Sequence, residues 1–174
     1  PNEVTFPYTL ATILYESGEY KRAENYFIHA LSIHPNLVYI QHAMALMYEK
    51  MNEAERAKAL EAFAEHFKDN PLVMDQWFSV QAGNTQPGGL ERVQHLMQHP
   101  AFTLKNPNRL RSLVGAFAAG NPQHFHAPDG SGYKLLIDVV IELNSLNPQT
   151  AARLLAPMRQ WRRYEPTRQA AMAA

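Results

Sequence analysis

The chain has 174 residues, of which 46% are hydrophobic and 18% charged, enough apolar content for a packed core and too much for a disordered tail. Sixteen Lys and Arg balance sixteen Asp and Glu, which speaks against the broad basic surface of a dedicated nucleic-acid binder. Cysteine is absent, so a disulfide scaffold, a thiol nucleophile and any Cys-liganded zinc or iron–sulfur site are excluded.

No apolar run approaches the roughly 18–20 residues of a membrane span, and no signal-peptide pattern opens the sequence. A cytoplasmic protein is the expectation, with no membrane partner. Charge is unevenly placed. Residues 1–70 hold ten acids and six bases, residues 71–149 five of each, and residues 150–174 five Arg and one Glu. Solvated helix faces account for such a mild dipole.

Apolar residues recur at spacings of three and four throughout, and no alternating β-branched run is long enough for a strand. Pro, Gly and Asn punctuate the pattern at Gly18, Pro35-Asn36, Asn70-Pro71, Gly83, Pro87-Gly88-Gly89, Asn106-Pro107, Gly120-Asn121-Pro122, Asp129-Gly130, Asn147-Pro148 and Glu165-Pro166. Pro suits a first helical turn and Gly a C-terminal cap, so about ten helices with short connections are predicted. The fold class is all-α: a right-handed α-solenoid of antiparallel helix pairs.

The first segment is the most regular. Leu10 and Ala11 precede Gly18, Tyr20, Ala23, Phe27, Ala30 and Pro35. Small Ala11, Ala23 and Ala30 let two helices approach, Tyr20 and Phe27 fill between them, and Ser17-Gly18-Glu19 makes the turn. This spacing resembles the tetratricopeptide repeat, whose period is about 34 residues. A second unit starts in phase with Met44, Ala45 and Tyr48, then Ala57 and Ala64. Its phase decays at Glu61, where an aromatic is expected. Residues 1–57 form the repeat-like region.

From about residue 60 to 174 the chain resembles the C-terminal helical domain of bacterial aminopeptidase N, a zinc metallopeptidase. The stretches that carry the resemblance are Pro71-Leu72-Val73-Met74-Asp75-Gln76-Trp77-Phe78, Phe102-Thr103-Leu104-Lys105-Asn106-Pro107-Asn108-Arg109-Leu110-Arg111-Ser112-Leu113, Phe125-His126-Ala127-Pro128-Asp129-Gly130-Ser131-Gly132-Tyr133 and Leu143-Asn144-Ser145-Leu146-Asn147-Pro148-Gln149. The resemblance implies an α-solenoid that packs on a catalytic domain and helps enclose a peptide chamber. Together the two likenesses describe a chimera joined through one shared helix at residues 53–69. Ala57 and Ala64 would face the repeat side, and Leu60, Phe63 and Phe67 would face Trp77 and Phe78. Strong helix formers there suit such a splice, and the abrupt Ala170–Ala174 end reads as a cut inside a helix. An engineered scaffold is the expectation, with a natural fusion of drifted repeats as the alternative.

The family's activity needs His-Glu-x-x-His, with the first Glu acting as base on zinc-bound water. No His-Glu pair occurs here, nor the family's Gly-x-Met-Glu-Asn stretch. The chain is therefore read as a non-enzyme without cofactor, metal or catalytic residues. His95 and His99 stand four apart without a third ligand, and a surface or capping role is expected. His124 and His126 flank Phe125 in what reads as a hydrogen-bonded turn. Asp129-Gly130-Ser131-Gly132-Tyr133 lacks the Gly-Lys-Ser/Thr ending of a phosphate loop and reads as a cap before the Leu135, Leu136, Val139, Val140, Leu143 stripe.

The resemblance makes Arg109 and Arg111 vestigial substrate-chamber residues, facing solvent without the catalytic domain. Arg159, Trp161, Arg162, Arg163 and Tyr164 read as Arg stems covering apolar neighbours rather than a nucleic-acid patch. The repeat-like part suggests protein or peptide capture as an alternative role. The carboxylate clamp of that family would fall on Tyr8 and Thr12, then His42 and Leu46, and none matches. No partner is required. Apolar residues at the ends suggest weak self-association. The other alternative is a non-catalytic aminopeptidase fragment.

Overall fold

The computed structural model describes residues 4–173, without the side chains of Val38 and Glu53, and every regular element among them is helical. Pro1–Glu3 of the repeat-like region and Ala174 at the abrupt end lie outside the described residues. The chain divides into two compact units, one ending at Trp77 and one beginning at Phe78.

The first unit contains α1 (Thr5–Glu16), α2 (Tyr20–Ile33), α3 (Val38–Lys50), α4 (Glu53–Phe67) and the start of α5 (Pro71–Gly83). The α1–α2 turn follows from one glycine. Gly18 takes φ +80°, its N–H donates to the Tyr15 carbonyl, and the Glu19 N–H donates to the Leu14 carbonyl. These two bonds are the Schellman closure, which needs a left-handed residue after the helix. The hairpin then closes on small residues: Ala11, Ala23 and Ala30 are fully buried together with Phe27. Tyr20 is half-buried and its ring lies 6.1 Å from that of Tyr15. Half-buried Pro35 follows the end of α2.

The second hairpin keeps the helices but changes the face. Met44, Met47 and Tyr48 of α3 are buried, whereas Ala45 is only half-buried. In α4 the buried positions are Ala59, Phe63, Ala64 and Phe67. Ala57, expected on the repeat side, is exposed. Ala64, seven residues on and on the same stripe of the helix, is buried, so that stripe is covered only in the second half of α4, where Phe63 and Phe67 pack with centroids 4.7 Å apart. Trp77 is buried and its indole N–H donates to the Leu60 carbonyl at 3.1 Å. Helix α4 lies wholly within the first unit, and the division falls inside α5.

The second unit holds the rest of α5, then α6 (Gly89–Leu96), α7 (Pro107–Leu110), a π-helical turn (Arg111–Gly115), α8 (Ala116–Gly120), α9 (Pro122–Phe125), α10 (Ser131–Leu146), α11 (Pro148–Leu154), a 3-10 segment (Ala156–Arg163) and α12 (Pro166–Ala173). Three of its helices begin at Asn-Pro. The side chains of Asn106, Asn121 and Asn147 each accept from backbone N–H groups two or three residues on, and the following Pro occupies the first turn, where no N–H is needed.

Its core is aromatic and branched-aliphatic: Phe78, Phe117, Phe125, Tyr133, Leu113, Leu136, Val139 and Leu143 are buried. Phe125 stacks edge-on against Phe117 and Tyr133 at 5.9 and 5.3 Å. Gly132 permits this contact between α9 and α10, since a Cβ there would come within 2.4 Å of the Phe125 carbonyl oxygen.

Candidate functional site

The second unit carries a cavity of about 690 Å³. Its walls come from the α7–π–α8 run, α11 and the 3-10 segment, with His126 and Tyr164 on another side. Leu110, Ala118, Leu154 and Pro157 supply apolar surface, while Arg111 and Arg153 supply charge. Among the described residues, no Asp or Glu lines it.

The two arginines named from the sequence part company here. Arg109 is buried, 6% exposed, with its guanidinium 5.3 Å from the Phe78 ring centre. The solvent-facing position expected for it does not occur; the guanidinium packs over an aromatic face in the core instead. Arg111 does reach the surface and lines the cavity, with its guanidinium donating to the Asn108 side-chain oxygen. Two residues apart on a helix point roughly 200° apart, so one side chain goes inward and the other outward. Local backbone chemistry refines the second. Arg111 opens the π-helical turn, whose bond from the Ala116 N–H to the Arg111 carbonyl closes it. The Arg111 stem crosses Gly115, where a Cβ would lie 3.4 Å from its Cγ.

Arg153, on α11, carries no pattern that singles it out in the sequence. It is exposed at the cavity wall. Its neighbourhood is set by the Asn147 cap, which fixes where α11 starts.

The remaining wall is a hydrogen-bonded node. His126 Nδ1 lies 2.9 Å from the Tyr133 hydroxyl, and Nε2 lies 2.9 Å from the Tyr164 hydroxyl. Burial, and then the Arg168 charge, push His126 below the ordinary histidine range, against the opposite pull of Glu165. Arg168 Nε donates to the His126 carbonyl at 2.7 Å and its guanidinium pairs with Glu165 at 2.7 Å. The expected turn at His124–His126 is thus present. His124 Nε2 meets the Thr85 carbonyl at 3.1 Å. Tyr164 is the partner that sequence spacing gives no means of finding, since it lies 38 residues from His126.

The other histidine pair has a capping role at one member. His99 Nδ1 accepts from the Ala101 N–H at 3.1 Å. Burial and the nearby Arg109 charge lower its pKa. Among the described residues no group of three His, Asp or Glu is placed to hold a metal. Asp129 accepts from the Ser131 N–H and hydroxyl at 3.0 and 2.7 Å, so the Asp129–Ser131 stretch is a turn ahead of α10. Arg162 lies over the Trp161 ring at 5.2 Å, the covering contact expected of that segment. No helix among the described residues is long and apolar enough to cross a membrane.

Comparison with known proteins bears on both units. Residues 9–174 match the family described as "Domain of unknown function (DUF3458_C) ARM repeats". The match includes α2–α4 as well as everything after them. An aminopeptidase N of Caulobacter vibrioides is 50% identical over 116 residues, 67% of this chain and 13% of that protein. One of Escherichia coli is 47% identical over 119 residues, 68% of this chain and 14% of that protein. Among solved structures, Legionella pneumophila aminopeptidase A in complex with aspartic acid aligns with a TM-score of 0.68 and 30% identity, covering 90% of this chain and 20% of that one. The chain therefore spans a small fraction of the length of the relatives it matches. It belongs to the DUF3458_C family of ARM-repeat domains and is homologous to the C-terminal helical region of bacterial aminopeptidase N.

Proposed function

We propose that the chain serves as a non-catalytic helical region of an aminopeptidase, and that the Arg111–Arg153 cavity receives the carboxylate end of a peptide. The observation that carries this reading is an apolar-walled cavity bearing two guanidinium groups, with no carboxylate among its described lining residues, in a chain homologous to aminopeptidase N. Guanidinium groups suit carboxylates because their fork matches the two oxygens. The reading gives the isolated chain no hydrolytic activity and a cytoplasmic place.

The test is a titration of the chain with a tripeptide carrying either a free or an amidated C-terminus, followed by amide chemical shifts. The free carboxylate should bind about tenfold more tightly, near 1.4 kcal/mol, and Arg111→Met or Arg153→Met should abolish the difference. Equal binding of the two peptides would sink the proposal.

A second reading takes residues 1–57 as a tetratricopeptide-like, engineered addition joined to the rest through the shared helix at residues 53–69, which includes α4. It draws support from the spacing of Gly18, Tyr20, Ala23, Phe27, Ala30 and Pro35 and from the closed α1–α2 hairpin. A family match that starts at residue 9 weighs against it. Inserting Gly after Ala59 should uncouple the two parts under this reading. A single preserved orientation in solution scattering would reject it.

A further inference from the structure

The first unit has a cavity of its own, about 700 Å³, between the start of α2 and the middle of α4. That lies within the range of roughly 300–1,000 Å³ typical of small-ligand sites. Its base holds an ionisable group that packing alone does not require. Glu24 is 9% exposed, lines the cavity, and accepts a hydrogen bond from the buried Tyr48 hydroxyl through one carboxylate oxygen at 2.8 Å. Apolar surface comes from Tyr20, Met51, Ala59 and Ala62.

Charge on the walls is of both signs. Glu24 and Glu55 face the same space as Lys21 and Lys58, and Arg22 and Glu19 pair with each other at 2.5 Å. A simple cation would meet the lysines, and a simple anion would meet the carboxylates. A neutral apolar molecule would dehydrate the carboxylate further, leaving it only the Tyr48 hydroxyl and the Lys21 charge, and would use none of the other charged walls. One ligand class satisfies every wall: a small zwitterion with an apolar body.

We infer that this cavity binds a free apolar α-amino acid, its ammonium directed to Glu24, its carboxylate to Lys21 and Lys58, and its side chain against Met51 and Ala62. The site is separate from the Arg111–Arg153 cavity, which lies in the other unit.

The test is a titration of the full chain with L-leucine, read by amide chemical shifts. Leucine amide, which lacks the carboxylate, and N-acetyl-leucine, which lacks the ammonium, are the controls. Saturable shifts are expected at residues 20–24 and 55–62, with each control weaker by about tenfold. Glu24→Gln retains an acceptor for Tyr48 and should weaken leucine binding about tenfold without lowering the unfolding midpoint. Lys58→Met, at an exposed position, should weaken it while leaving the fold intact. Arg111→Met should change nothing. Absence of saturable shifts, equal binding of either control, or full binding by the Lys58 variant would overturn the inference.

Discussion

Asn121 offers a sharp test of the physical account of the second unit. It is fully buried. Its side-chain nitrogen donates to the Ala82 and Asn84 carbonyls at 2.9 and 3.0 Å, and its oxygen accepts from the His124 N–H at 3.3 Å. One side chain thus satisfies the end of α5 and the start of α9. In Asn121→Ala the buried Ala82 carbonyl loses a donor with no water to replace it, a loss of about 1–3 kcal/mol. The missing cap at α9 adds about 1 kcal/mol. Together, about 2–4 kcal/mol should be lost.

Asn121→Asp separates this from ordinary capping. Asp caps a helix about as well as Asn, so a pure cap would tolerate it. Here Asp cannot donate, and it would set a negative charge against two carbonyl oxygens. It should therefore destabilise at least as much as Ala. The assay is urea unfolding followed by Trp161 fluorescence in a Trp77→Phe background, which reports the second unit. An Asp variant within about 0.5 kcal/mol of the parent, a margin typical of neutral substitutions, would mean that Asn121 acts only as a helix cap.

Gly132→Ala should cost at least about 1–3 kcal/mol, because its Cβ would meet backbone at Phe125 rather than a movable side chain; calorimetry of the purified variant checks it. Gly18→Ala should cost about 1 kcal/mol through the left-handed φ of +80°, visible as a lower midpoint of the first unit. Burial raises the Glu24 pKa above 4.5, against the lowering effects of Tyr48 and Lys21. The folded state therefore holds this proton longer than the unfolded chain, and stability falls as pH rises from below 4.5 through the raised value. Glu24→Gln should remove that loss, leaving the protein at neutral pH as stable as the parent or more so, with the difference gone below pH 4.5. His126 has the opposite sense. Its pKa is depressed below 6.5, so the unfolded chain takes up a proton first and stability declines as pH falls through 6.5 toward the folded value. His126→Gln should flatten that slope in urea midpoints measured across the same range.

The helical architecture is legible in the sequence because its signals are local. Asn-Pro at 106, 121 and 147 marks helix starts by side-chain caps that need only neighbouring residues. Gly18 and Gly130 mark turns through positive φ for the same reason. The buried face of α4 is less legible, since Ala57 and Ala64 share one stripe and only Ala64 is covered, in the half where Phe63 and Phe67 pack. The cavity is harder still. Arg109 and Arg111 look equivalent as residues, but the helix sends one under Phe78 and the other outward. Arg153 and Tyr164 join Arg111 from segments 40 or more residues away, along no repeating interval. Long-range meetings of single polar side chains leave no periodic trace.

The π-helical turn at Arg111–Gly115 has a consequence for how this surface can change by insertion and deletion. A π turn is an α-helix with one residue too many in a single turn. Removing one residue there would restore regular α-geometry and leave the flanking α segments facing as they do, because the widened turn already absorbs the extra residue. The Asn106 cap and Ala118 would keep their places, and the change would fall on the turn that Arg111 opens. A deletion in the regular helix beside it has no such slack and would rotate everything before it by about 100° against everything after it. This surface thus holds one spare residue, and a one-residue shortening is absorbed inside the turn but not next to it.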